Sequence, residues 1–155
     1  MNAIFIFGAQ YLFLFIPVFA FIYLLKQKPG KRKQVLLLAL IALPLVYLMG
    51  KIAGYFYYDP RPFITNRFIP IIPSATDNGF PSDHTLFSAA IEAIVFCHDR
   101  RWGAFLWIIT FFVAAFRVYV GVHSVQDVLG SMVIAAFFTW LTFKFIKRYF
   151  FIKTS

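Results

Sequence analysis

Apolar stretches alternate with polar islands along the whole chain, and the stretches have the length of membrane helices. Ile4 to Leu25 is apolar apart from Gln10 and a few small residues, and its Pro17 is tolerable in a packed transmembrane helix. Val35 to Tyr58 follows and ends in Tyr55, Phe56, Tyr57 and Tyr58, an aromatic run suited to the headgroup level. Thr85 to Cys97 is a shorter apolar stretch, extended at its start by Pro81-Ser-Asp-His84. Trp102 to Val120 and Val128 to Ile146 complete the series, with Val122 to Gln126 as the hinge between them. The pattern predicts an all-α, polytopic membrane bundle in a single domain over 1–155, with about five helices at 4–25, 35–58, 82–97, 102–120 and 124–147.

One long segment breaks the helical pattern. Asp59 to Pro81 holds Pro60, Pro62, Pro70, Pro73 and Pro81 and the turn signal Asn78-Gly79, so it cannot cross as a helix. It is nevertheless apolar, through Phe63, Ile64, Phe68, Ile69, Ile71 and Ile72. Two readings stay open: a segment lying in the interface over an acyl chain, or a loop packed on the helix ends.

Composition confirms the class. With 61% hydrophobic residues, 22 phenylalanines and a mean hydropathy of +0.77, the chain has too little polar surface for a soluble domain. The net charge of +9 would fit nucleic acid if it were spread over a polar face, but it is not. Five of the fifteen Lys and Arg fall between Lys26 and Lys33, Arg100 and Arg101 form a pair, and Lys144, Lys147, Arg148 and Lys153 crowd the C-terminal end. Each group abuts an apolar stretch, the flanking pattern of the positive-inside rule, with anionic membrane lipids as partner and nucleic acid excluded. This places the N-terminus outside, the C-terminus in the cytoplasm, and a loop from Lys26 to Lys33 on the inner side. The first stretch has no basic region before it and no small-residue cleavage pattern after it, so it is expected to be a retained helix. The lone Cys97 reads as a small buried hydrophobe.

Most of the remaining ionisable groups, four of the six acids and two of the three histidines among them, collect at the opposite, external face. Three islands meet there: Asp59-Pro-Arg-Pro-Phe63, Pro81-Ser-Asp-His-Thr85, and Arg117 through His123 to Asp127. Charges beside hydrocarbon are costly, so their coincidence on one face asks for a functional reason. Arg61 and Arg117 offer planar forks for phosphate oxygens, and Ser82 with the first amides of the third helix forms an anion-binding helix start. His123 and Asp127 are four apart, so on one helix they share a face, and the carboxylate can fix the imidazole tautomer and make it a nucleophile. His84 then suits proton donation to a leaving group. A metal held by His84, His123 and Asp127 is the competing reading; two arginines on the same face would repel a divalent cation. Glu92, two helical turns below His84, needs a partner and is either a proton relay or hydrogen-bonded to Gln10 or a tyrosine. Tyr119 lines the site or anchors at the interface.

The order of these motifs resembles the type 2 phosphatidic acid phosphatase superfamily, whose signature runs Lys-x6-Arg-Pro, Pro-Ser-Gly-His and Ser-Arg-x5-His-x3-Asp. The chain has Arg61-Pro62, then Pro81-Ser82-Asp83-His84, then Arg117-x5-His123-x3-Asp127, over about half its length. The resemblance implies that His123 forms a phosphohistidine, that Asp127 orients it, that His84 is the acid, and that Arg61, Ser82 and Arg117 bind phosphate, with no metal or other cofactor. It departs in three places: Gly54 stands at the lysine position, Asp83 at the motif glycine, and Phe116 at the serine. Lys51, about one turn from Gly54, is expected to reach back to the phosphate. Asp83 is grouped with the phosphate site and is expected to point to Arg61 or Arg117 or to cap its helix. Asp-Pro-Arg-Pro-Phe, Pro-Ser-Asp-His-Thr and Tyr-Val-Gly-Val-His are most similar to the bacterial undecaprenyl pyrophosphate phosphatase branch. That branch implies an inner-membrane enzyme recycling a cell-wall lipid carrier at the external face. Phosphatidylglycerol phosphate, phosphatidic acid or lipid A phosphate would fit the same motifs, as would a phosphotransferase. A lipid-binding or transport protein whose charges line a pathway is the reading from another class.

Overall fold

The computed structural model describes residues 2–151, so Lys153 of the basic C-terminal group lies outside the described residues. The elements in order are α1 (Asn2–Tyr11), a 3-10 turn (Leu12–Leu14), α2 (Phe15–Leu25), α3 (Pro29–Phe56), a single turn α4 (Pro62–Thr65), α5 (Asp83–Phe96), α6 (Arg100–Tyr119) and α7 (Val125–Ile146), followed by a π turn (Lys147–Phe151). Among the described residues the only β pairing is an isolated bridge between Pro60 and Asn78. Four helical stretches are long and apolar enough to cross a membrane: Ala3–Leu25, Pro29–Phe56, Arg100–Tyr119 and Val125–Tyr149.

Two boundaries differ from the sequence pattern for physical reasons. The second long helix begins at Pro29, not at Val35, so Lys31, Arg32 and Lys33 sit in its first turns and the loop shrinks to Lys26–Lys28. Proline at the first helical position is preorganised there, and Lys and Arg are good helix formers. The first long helix is interrupted at Leu12–Leu14. Pro17 has no N–H to give, and its ring crowds the carbonyl four residues earlier, which belongs to Phe13.

α5, expected as the third crossing, is the central helix. It has 14 residues, and nine of them are buried. That length is about 21 Å, below the roughly 30 Å of a hydrocarbon core. It packs against α3, α6 and α7. Ala89 and Ala90 of α5, Ala114 of α6 and Ala135 of α7 form much of one buried cluster with Val46 and Leu86, small residues that let helices approach closely where no water drives them together. A second cluster, with Tyr23, Leu38, Ile94, Leu106 and Ile146, fills the end of the bundle that carries the basic residues. The outward faces are apolar, as at Leu40, Phe56 and Phe145, each more than half exposed. The helix ends bearing the three polar islands meet at the opposite end of the bundle from the basic groups.

Candidate active site

A cavity of ≈ 400 Å³ lies among the end of α3, the 57–81 loop, the start of α5, the end of α6 and the turn before α7. Lys51, Arg61, Asp77, Asp83, His84, Arg117 and His123 line it. Six of the eight residues singled out for this site in the sequence lie on or directly against its wall. The other two, Ser82 and Asp127, are fully buried behind it.

The turn that carries His123 is fixed by its neighbours. α6 ends at Tyr119, Gly121 takes the left-handed conformation (φ 80°) that closes many helix ends, and the Phe68 ring packs where a Cβ would stand. Ser124 then caps α7: its Oγ accepts from the Asp127 N–H at 3.1 Å, and Asp127 Oδ2 accepts from the Ser124 N–H at 2.8 Å. The same Oδ2 lies 3.2 Å from His123 Nδ1. His123 therefore precedes the helix, and its pairing with Asp127 comes from the capping box and not from a shared helix face. The Ser124 hydroxyl also donates to Asp59 Oδ2 at 2.7 Å, tying the turn to the 57–81 loop.

The other face of the His123 ring meets two guanidiniums. Arg117 Nη2 is 3.2 Å and Arg61 Nη1 3.5 Å from Nε2. Arginine can only donate, so Nε2 presents its lone pair and the ring proton sits on Nδ1, toward Asp127. Burial holds the imidazole below its ordinary pKa, and the Arg117 and Arg61 charges act in the same direction, opposed by the hydrogen bond and charge of Asp127. The free ring is thus neutral, with its lone pair aimed into the cavity. Arg61 is held by Asp77 Oδ1, which accepts from Nε at 3.0 Å and from Nη2 at 2.9 Å, and by the Val122 carbonyl at 3.0 Å. Arg117 donates from Nη1 to the Ala9 carbonyl at 3.3 Å, and its buried Nε–H has no partner.

The charged pair at the cavity mouth corrects one expectation. Asp83 turns neither to Arg61 nor to Arg117; its side chain meets Lys51, with Nζ–Oδ1 at 3.2 Å and both side chains half exposed or more. Asp77, close to Arg61 in the loop, has already taken the guanidinium. At Gly54, the motif's lysine position, a Cβ would stand 2.8 Å from the Phe80 carbonyl oxygen and 3.2 Å from Pro81. A side chain at that position would force the loop backbone to shift, and Lys51 stands one turn earlier on the cavity wall. Ser82 occupies the N-cap of α5 without a side-chain cap bond, and its hydroxyl accepts from Thr85 Oγ1 at 3.2 Å. Tyr119 does not line the cavity but stacks on Phe5 at 4.0 Å. Glu92 is buried below the site. No group of three His, Cys, Asp or Glu side chains among the described residues could hold a metal ion.

Sequence reasoning missed Asp77 and Asn78 as organisers. Asn78 Oδ1 accepts from the Asp59 and Phe80 amides at 2.9 and 3.0 Å, and its Nδ2 donates to the Gly54 and Tyr57 carbonyls at 2.8 and 2.9 Å. The Asn-Gly signal announced a turn; that the amide would staple that turn to α3 was not readable from local pattern. Gly79 beside it leaves room for Asp127, whose Oδ2 would stand 2.8 Å from any Cβ.

Residues 34–151 match the profile of the PAP2 superfamily. The undecaprenyl-diphosphatase BcrC of Bacillus subtilis (strain 168) is 39% identical over 89 residues, 57% of this chain and 46% of that protein, so the match spans less than half of that relative's length. The putative undecaprenyl-diphosphatase YbjG of Escherichia coli (strain K12) is 31% identical over 133 residues, 85% of this chain and 67% of that protein. Among solved structures, a transmembrane PAP2 type phosphatidylglycerolphosphate phosphatase from Bacillus subtilis superposes with a TM-score of 0.64 at 23% identity, covering 96% of this chain and 76% of the other. The shared fold and the apolar helices make this a multi-pass membrane protein.

Proposed function

The chain belongs to the PAP2 superfamily, and from that premise we propose that it is a lipid phosphatase that removes the terminal phosphate of a lipid diphosphate through a phosphohistidine. The observation that carries this reading is the convergence of Arg61 and Arg117 on His123 Nε2, with Nδ1 held by Asp127. A neutral imidazole whose free nitrogen is flanked by two guanidiniums is suited to attack a phosphorus atom whose oxygens those guanidiniums bind. Such oxygens would be received by the arginine N–H groups that now face Nε2 and by the unpartnered Arg117 Nε–H.

The reaction runs in two steps. His123 Nε2 forms a bond to phosphorus as the bond to the leaving oxygen breaks, and His84 gives that oxygen a proton. Asp127 offsets the charge that the ring acquires. His84, now a base, takes a proton from water, whose oxygen attacks phosphorus and returns the electron pair to Nε2. Arg61 and Arg117 hold the phosphoryl oxygens in both steps. Lys51 and Asp83 stand at the cavity mouth, where the second phosphate of a diphosphate would lie, and the buried Ser82 supports the start of α5. No metal has a part in these steps.

Undecaprenyl diphosphate is the first substrate proposed, supported by the names of the two relatives and by a cation placed beyond the arginine pair. The basic residues at the opposite end of the bundle support a site on the external face of a bacterial cytoplasmic membrane, where it would serve recycling of a cell-wall lipid carrier. The test is phosphate release in detergent from a panel of lipid monophosphates and diphosphates, with EDTA present. Release from undecaprenyl diphosphate at the highest kcat/KM in the panel is expected. Absence of any turnover would refute the phosphatase reading, and loss on adding EDTA would refute the metal-free mechanism.

A further inference from the structure

The N-terminal stretch Asn2–Leu25 lies outside the 34–151 match, yet it touches the site at two points, and a third contact seats it there. The Ala9 carbonyl accepts from Arg117 Nη1 at 3.3 Å. Gly8 faces Phe116 so closely that a Cβ there would stand 2.1 Å from the ring, and Phe116 is the residue at the motif's serine position. The glycine and the phenylalanine together seat the α1 backbone near enough for its carbonyl to reach the arginine. The other contact with the site comes from the 3-10 turn: the Phe13 ring stands edge-on to His84, with centroids 4.4 Å apart and planes at 72°.

The cause of that turn is local. Pro17 disturbs the helix at the carbonyl of Phe13, and the tightened turn over Leu12–Leu14 presents this side chain to α5. A 3-10 stretch inside a longer helix often marks a functional hinge or a sequence under strain, and Pro17 supplies the strain here. His84 forms no hydrogen bond to another side chain among the described residues, so the aromatic contact is what fixes its ring. Edge-to-face packing has a defined geometry and restricts rotation about the imidazole's side-chain bonds.

We propose that Phe13 is a positioning residue for His84: the N-terminal helix aims the imidazole at the leaving oxygen through the Phe13 ring. The inference rests on the reading of His84 as the proton donor. Burial and the Arg117 charge hold the His84 pKa below its ordinary value, so the imidazole takes up its proton when the substrate's phosphate charge lies beside it; as the phosphorus–oxygen bond breaks, its electron pair stays on the leaving oxygen and that proton moves to it. A misaimed donor matters only when the leaving group needs the proton. Misplacement of a reacting group by about 1 Å can cost on the order of a hundredfold.

The experiment compares an alkyl phosphate, a poor leaving group, with p-nitrophenyl phosphate, a good one, on the full chain in detergent. Phe13→Leu is expected to lower kcat on the alkyl ester by about tenfold or more and on the aryl ester by less than about threefold, within the range set by positioning effects. His84→Ala should show the same bias more strongly, Phe13→Tyr should restore it toward the parent, and the double variant should be no worse than His84→Ala. Equal loss on both esters in Phe13→Leu, with a bias in His84→Ala, overturns the role of Phe13 and leaves the acid role standing. Absence of bias in His84→Ala overturns both. A melting temperature of each variant in the same detergent separates loss of fold from loss of aim.

Discussion

His123 and His84 line one cavity and are held in opposite ways. His123 is 3% exposed, sits on a capped turn, and has a carboxylate on one nitrogen and two guanidiniums on the other. His84 is only partly buried and is steadied by one aromatic ring. The difference matches the two tasks proposed for them. A nucleophile must keep one tautomer and one direction, and each partner around His123 enforces that. An acid that becomes a base must release a proton and regain it within each turnover, which favours fewer permanent partners and an open side.

The comparison breaks or sharpens under a graded set of substitutions. His123→Ala should lower kcat by more than about a thousandfold on every substrate, as loss of a covalent nucleophile does. Asp127→Asn, which keeps the shape but removes the charge behind Nδ1, should cost on the order of ten-thousandfold in kcat, given the effect of the corresponding change in other His–Asp pairs. Its size should not depend on the leaving group, because the carboxylate acts through the nucleophile.

His84→Ala should cost about a hundredfold on alkyl phosphates and distinctly less on activated ones, in line with general-acid contributions. If it were as damaging as His123→Ala on all substrates, the division of labour would be wrong. In the pH profile, attack requires neutral His123, whose pKa is held down by burial and by the two arginines. The acid limb of kcat/KM should therefore lie below the ordinary histidine value of about 6.5. Removing one positive charge raises that pKa, so Arg61→Gln should move the limb toward higher pH as it lowers the rate. The smallest effect is structural: Ser124→Ala removes the α7 cap and should cost about 1 kcal/mol of stability, read as a lower melting temperature in detergent.

The parts of this site that were legible in the sequence are those with a high energetic cost. Arg61, His84, Arg117, His123 and Asp127 stand out because charge and imidazole beside long apolar runs demand partners. The partners themselves were less legible. The sequence leaves Asp83 to meet an arginine or to cap its helix; instead Lys51 takes Asp83 and Asp77 holds Arg61 at 2.9 Å, since a loop of five prolines hides which of its acids turns inward. The start of α3 was displaced because a basic run reads as loop although Lys and Arg sustain a helix. The contribution of the first helix was invisible for a different reason: it acts through a backbone carbonyl and one phenylalanine among 22. Pro17 gave the only local sign, and it marked a break without saying what the break presents.

The central claim is that His123 carries the phosphoryl group. It is tested most directly by rapid mixing with a lipid diphosphate labelled in its terminal phosphate, quenched in alkali and separated from free lipid. The account predicts label bound to the protein that is stable in alkali, released in acid, located on His123 and absent from His123→Ala. Turnover with no labelled protein at any quench time, or label that persists in His123→Ala, would contradict it.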